Sequence, residues 1–149
     1  MRVMSFNFTK VSAEKPEGLK IANIDTKINF EGIEKEKADS TQQELDVLKI
    51  SFNFNVIYEG EKPSKNAEVI LNGTIVAVAS KEETKDIFKH WEKKELPMGL
   101  KVPLFNLILK KCSVKALQLE EEMNLPFHVP LPQVRAEKKD GKDNKDSKK

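Results

Sequence analysis

The sequence predicts an α+β domain, a four-stranded antiparallel sheet with a short and a long helix packed on one side. Three observations predict it. Four runs alternate apolar and polar residues with the two-residue period of half-buried strands. A capping-box pattern at Ser80–Glu83 opens a stretch of helical spacing. From Pro103 to Met123 the apolar positions recur at helical intervals over about twenty residues, too long for an ordinary strand.

The first strand is Val3 to Val11, with Met4, Phe6 and Phe8 on one side and Ser5, Asn7 and Thr9 on the other. Pro16 and Gly18 make a turn of residues 14–18, and Ala22, Ile24, Thr26, Ile28 and Phe30 then share the face of a second strand. Residues 31–44 (EGIEKEKADSTQQE) have no period and are dominated by charge, so they read as a solvated connection long enough for disorder. The third strand, Leu45 to Tyr58, is the clearest: Leu48, Ile50, Phe52, Phe54, Val56 and Tyr58 alternate with Lys49, Ser51, Asn53 and Asn55.

Residues 66–79 admit two arrangements. Asn72-Gly73 is a hairpin signal, whereas an unbroken strand aligns Ala67, Val69, Leu71, Gly73, Ile75, Ala77 and Ala79. The unbroken strand has the cleaner apolar face and matches the length of its predecessor. Gly73 would then mark a bulge or a close approach of backbone. Thr84, Ile87, Phe88 and Trp91 continue from the capping box as a short helix, which Pro97 and Gly99 stop. Pro103 suits the first turn of the long helix, on which Phe105, Leu109, Cys112, Ala116, Leu119 and Met123 form a stripe. Leu104, Leu107, Ile108, Val114 and Leu117 are apolar beyond that stripe. A helix apolar on more than one side needs two covers, the sheet and a partner chain. Residues 124–132 (NLPFHVPLP) follow as an extended strap, because three prolines forbid helix and remove ladder donors.

The 149 residues suit one domain over 1–134 and a tail over 135–149. The tail holds seven basic residues against four acidic ones, a net of +3, leaving −1 for the rest. With almost no apolar side chain it is expected to be disordered, and the near-neutral body lacks the charged face that binding to a phosphate backbone requires. One cysteine and two histidines cannot build a Cys/His zinc site, and no cofactor is expected. The absence of a disulfide pair, of an apolar signal run and of a membrane-length apolar segment points to the cytoplasm. No phosphate-binding glycine loop, dinucleotide fingerprint or nucleophile elbow occurs. Cys112 lies on an apolar helical stripe, where cysteines are inert; His90 edges a packed helix; His128 sits between prolines with no carboxylate near it in sequence. No enzyme is expected.

This order of features resembles the SecB family of export chaperones over residues 4–132. The resemblance is carried by Phe6-Asn7-Phe8 with the alternation of 21–30, by residues 68–79 (EVILNGTIVAVA), and most specifically by residues 103–132, which look like the family's long helix and crossover loop. The resemblance implies an ATP-independent holdase for unfolded or precursor polypeptides in protein transport, assembled as a homotetramer, a dimer of dimers. Two departures stand out. The near-neutral body and basic tail lack the acidic surface with which family members dock the SecA ATPase, which speaks against docking to SecA, and residues 135–149 offer no counterpart to the family's last helix.

On this basis Leu125, Phe127, Val129 and Leu131, with Phe52 and Phe54, are expected to line a client groove. Phe105, Leu109, Cys112, Ala116 and Leu119 are expected at the oligomer interface. Two alternatives belong to other classes: a binding module with one dedicated client, and a binder of single-stranded nucleic acid that stacks bases on Phe6, Phe8, Phe52 and Phe54.

Overall fold

The computed structural model describes residues 1–36, 45–62 and 65–136. Strands β1 (Arg2–Glu14), β2 (Ile21–Glu36), β3 (Leu45–Gly60) and β4 (Asn66–Ser80) form one antiparallel sheet in the order β1-β4-β3-β2, and helices α1 (Lys81–Trp91) and α2 (Met98–Glu122) follow. The fold is α+β. The two apolar-rich strands lie in the centre, while β1 and β2, consecutive in the chain, form opposite edges.

One face of the sheet holds the core. Leu48, Ile50, Phe52, Phe54, Val56 and Tyr58 of β3 and Ala67, Val69, Leu71, Ile75, Ala77 and Ala79 of β4 are buried on it, while the residues between them, polar ones such as Lys49, Ser51 and Asn53 together with Ile57, Ile70, Val76 and Val78, are half-buried on the other face. β4 runs unbroken through Asn72-Gly73, because the register puts Gly73 between Phe52 of β3 and Phe8 of β1. A Cβ on Gly73 would come 2.6 Å from the Phe52 ring and would press on the Asn7 carbonyl. The glycine answers a close approach, and the shifts of register lie in the edge strands instead.

Those shifts account for two departures from the expected pattern. β2 extends through Glu36, so residues 31–36 are strand where a solvated connection was expected; residues 37–44 lie outside the described residues. An irregularity at Glu31 resets the alternation, so that Ile33, opposite Ile50, joins the core. A reset of this kind erases the two-residue period while leaving the pairing intact. In β1 the register skips Met4 and Thr9, which puts Val3, Phe6, Phe8 and Val11 on the core side and leaves Met4 exposed.

Ser80 caps α1 as expected: its hydroxyl accepts from the Glu83 amide while the Glu83 carboxylate accepts from the Ser80 amide. α2 begins at Met98, five residues before the expected start, and Pro103 lies inside it. The proline is tolerated because the carbonyl it leaves unbonded, four residues back, belongs to Gly99, which is exposed to water. At its other end α2 closes in a Schellman motif. Asn124 takes the left-handed conformation (φ 54°), its amide donates to the Glu121 carbonyl, and the Leu125 amide donates to the Glu120 carbonyl.

Candidate functional site

α2 presents Leu104, Ile108, Cys112, Ala116 and Glu120 to the sheet, each four residues after the last. Four residues turn the helix about 40° past a full turn, so such a row winds slowly round the axis and stays against a twisted sheet. The expected stripe drew in part on neighbouring positions, and the interface residues divide accordingly. Cys112 and Ala116 are fully buried in the chain's own core, where burial pushes the Cys112 thiol up to about 12 and leaves it unreactive. Phe105 stacks on Phe30 of β2 at 5.2 Å, and Leu119 packs against the core from its margin. Leu109 is 41% exposed and shares a side of α2 with exposed Val102, two turns before it, whereas exposed Val114 lies about 140° round the helix.

The groove residues divide in the same way. Phe52 and Phe54 are fully buried: the Phe6 ring lies 5.1 Å from Phe52, and the His128 ring stands edge-on 5.8 Å from Phe54. Neither can stack a base, so of the four rings of the nucleic-acid alternative only those of Phe6 and Phe8 on β1 reach water. Leu125 enters the core and Val129 is half-buried, whereas Phe127 and Leu131 are exposed, with Val134 fully so beyond them. Among the described residues, 126–134 make no backbone–backbone hydrogen bond, so apart from the Pro126 carbonyl and the His128 amide, which side chains engage, the strap's main-chain groups stay open to another extended chain.

The strap is held to the body by polar groups. Glu120, the one charged side chain in the buried row of α2, accepts the His128 amide at 3.2 Å and meets the imidazole Nδ1 at 2.8 Å, while Nε2 lies 3.4 Å from the Ser113 hydroxyl. The Glu120 and His128 side chains are 0% and 2% exposed. The Tyr58 hydroxyl donates to the Pro126 carbonyl at 2.9 Å, and Lys15 donates to the carbonyls of Met123 and Asn124. Burial first, and then the neighbouring Glu120 carboxylate, push the Tyr58 phenol well above its ordinary value, keeping it a donor.

Hydroxyl, imidazole and carboxylate in this order are the parts of a hydrolase triad, yet the surroundings do not support the chemistry. Ser113 lies in mid-helix, where the backbone N–H groups are committed to the helical ladder and none is free for an oxyanion. A cleft of about 350 Å³ does exist between β1, α1 and the start of α2, lined by Met1, Ile87, Leu100 and Leu104. It is about 14 Å of helix from Ser113. Among the described residues no three metal-ligating side chains converge, and no helix is long and apolar enough to cross a membrane. What this geometry does is fasten the strap.

Sequence spacing missed two features. Glu120 is the partner that His128 was not expected to have; it could have been found by extending the four-residue row from Leu104 through Ile108, Cys112 and Ala116. The second is the edge of the core face. Val3, Phe8 and Val11 of β1 stay exposed although they pair with buried Ala77, Gly73 and Leu71, because α2 packs over the two central strands.

No family model and no curated protein matches the chain. Among solved structures it is similar to a SecB-like chaperone of Mycobacterium tuberculosis, determined in complex with a ChAD peptide from an antitoxin, at a TM-score of 0.46 and 11% identity over 91% of this chain and 92% of that one.

Proposed function

We propose that this protein is an ATP-independent holdase that keeps unfolded or precursor polypeptides from aggregating by binding their extended apolar segments. One observation carries the proposal: the apolar face of the sheet is wider than its helical cover. On β1 it continues as exposed Val3, Phe8 and Val11, and the strap adds exposed Phe127 and Leu131 on open main chain. Exposed apolar side chains of this size mark binding surfaces when they cluster, and an edge strand or an extended strap pairs with extended polypeptide without regard to its sequence. The order of elements that resembles the SecB family supports the same function.

In this proposal clients lie along the strap residues Phe127, Val129 and Leu131 and the β1 shelf, with Phe52 and Phe54 as the floor beneath. Copies of the chain associate through the outer side of α2, with Leu109 between Phe105 and Leu119, into a dimer of dimers. The site of action is the cytoplasm, and the near-neutral charge of residues 1–134 makes SecA an unsuitable receptor for delivery.

Fluorescence anisotropy of a labelled, permanently unfolded polypeptide, reduced and carboxymethylated, tests the binding. The proposal requires saturable binding without nucleotide, weakened by Phe8→Ser and Phe127→Ala. Several unrelated polypeptides should bind alike, whereas a module with one dedicated client would discriminate among them.

A further inference from the structure

We infer that the buried Glu120–His128 pair is a latch that holds the strap in an autoinhibitory position over the sheet, so that a client gains the Phe54 end of the floor only by displacing the strap. The bearing on clients rests on the holdase function proposed above; the latch itself does not.

The strap sits where a client segment would. Leu125 fills the core, Pro126 takes the Tyr58 hydroxyl, and the His128 ring covers Phe54 edge-on. A chain in this position makes an extended client's contacts in advance. Its attachment is polar and local. Up to Leu125 the Schellman motif and Lys15 fix the chain, at 126 and 128 Tyr58 and Glu120 hold it, and from 129 onward none of the described residues hydrogen-bonds to it. The prolines at 126, 130 and 132 keep the strap extended when it lifts, so redocking costs little conformational entropy and the closed position is readily regained.

The pair's chemistry suits a latch better than a core. In the closed position Glu120 is fully buried and is satisfied by two donors of one residue, the His128 amide and imidazole. A buried carboxylate deprived of such partners is strongly disfavoured, and an apolar pair of the same volume would hold the strap at least as firmly. When the strap lifts, both groups reach water together and neither is stranded. The closed and open positions are then two discrete states of residues 126–132, and a client that binds only the open one shifts their populations.

Hydrogen exchange of the full chain, read by mass spectrometry on peptides covering 123–129 and on peptides from β3 and β4, tests this. In the wild-type protein the strap amides are expected to exchange faster than those of β3 and β4, through an opening smaller than global unfolding. His128→Ala and Glu120→Gln should speed strap exchange by about tenfold or more while β3 and β4 keep their protection. Tyr58→Phe removes one hydrogen bond, strands no charge, and should produce a smaller change in the same direction should the other variants fold poorly. An unfolded, carboxymethylated client should raise strap exchange, and His128→Ala should bind it several-fold more tightly. Strap amides that open only together with β3 and β4, or that these variants leave unchanged, would overturn the latch. A client that leaves the strap protected would overturn the displacement. A chain that binds no client in any variant contradicts the holdase function, and the exchange comparison made without client still decides the latch.

Discussion

Two residues show how single positions carry this structure. Gly73 is required by its neighbours: a methyl group there meets the Phe52 ring and the Asn7 carbonyl at once. Gly73→Ala should therefore destabilise the fold by about 1–3 kcal/mol, the usual cost of overpacking a core, visible in urea unfolding as a lower midpoint with unchanged slope. Phe127 is the opposite case. Its ring is 36% exposed on the strap, so Phe127→Ala should weaken client binding by about 1–3 kcal/mol and leave the melting temperature near that of the wild type. Stability lost with affinity intact would make the ring a core plug. Gly73 was legible in the sequence because an apolar alternation ran through it. Glu120 was not, because a lone carboxylate in a helix reads as solvated until the row that buries it is laid against a sheet.

At the scale of elements, β3, β4 and α1 followed from patterns that need no tertiary information: strict alternation and a capping box. The edge strands and α2 were read less well, for a common reason. A bulge in β1 or β2 and a proline inside α2 break the local period while tertiary packing keeps the element whole. The outer side of α2 carries the first prediction at this scale. Leu109→Glu places a charge on the proposed association surface and should shift sedimentation to smaller species without unfolding the chain. A wild-type protein that is monomeric at micromolar concentration would contradict the assembly. The junction of β3 and α1 carries the second. Hydrogen bonding to Lys81 above all, then to Thr84, with the charge of Lys35 beside it, holds the buried Asp46 carboxyl below its ordinary value. A carboxyl depressed by folding stabilises the native state above its unfolded pKa, and the contribution disappears as pH falls through the folded value. Wild type should exceed Asp46→Asn in stability by a constant margin at neutral pH, and the two curves should converge below the ordinary carboxylate range. Parallel curves down to acid pH would mean that the Asp46–Lys81 contact does not couple to folding.

For the whole molecule, the central feature is a mismatch of widths. Four strands offer more apolar face than one long helix covers, and the excess on β1 and the strap stays in contact with water while the central strands are sealed. The fold class could be read from the sequence because it follows from element order. The mismatch could not, because it depends on which strands α2 crosses. Aggregation of a chemically unfolded client, followed by light scattering in the absence of nucleotide, tests this account most directly. Near-stoichiometric amounts of the protein should suppress scattering for several unrelated clients, and the Phe8→Ser variant should suppress it less. Scattering that rises undiminished in a several-fold excess of folded protein would contradict it.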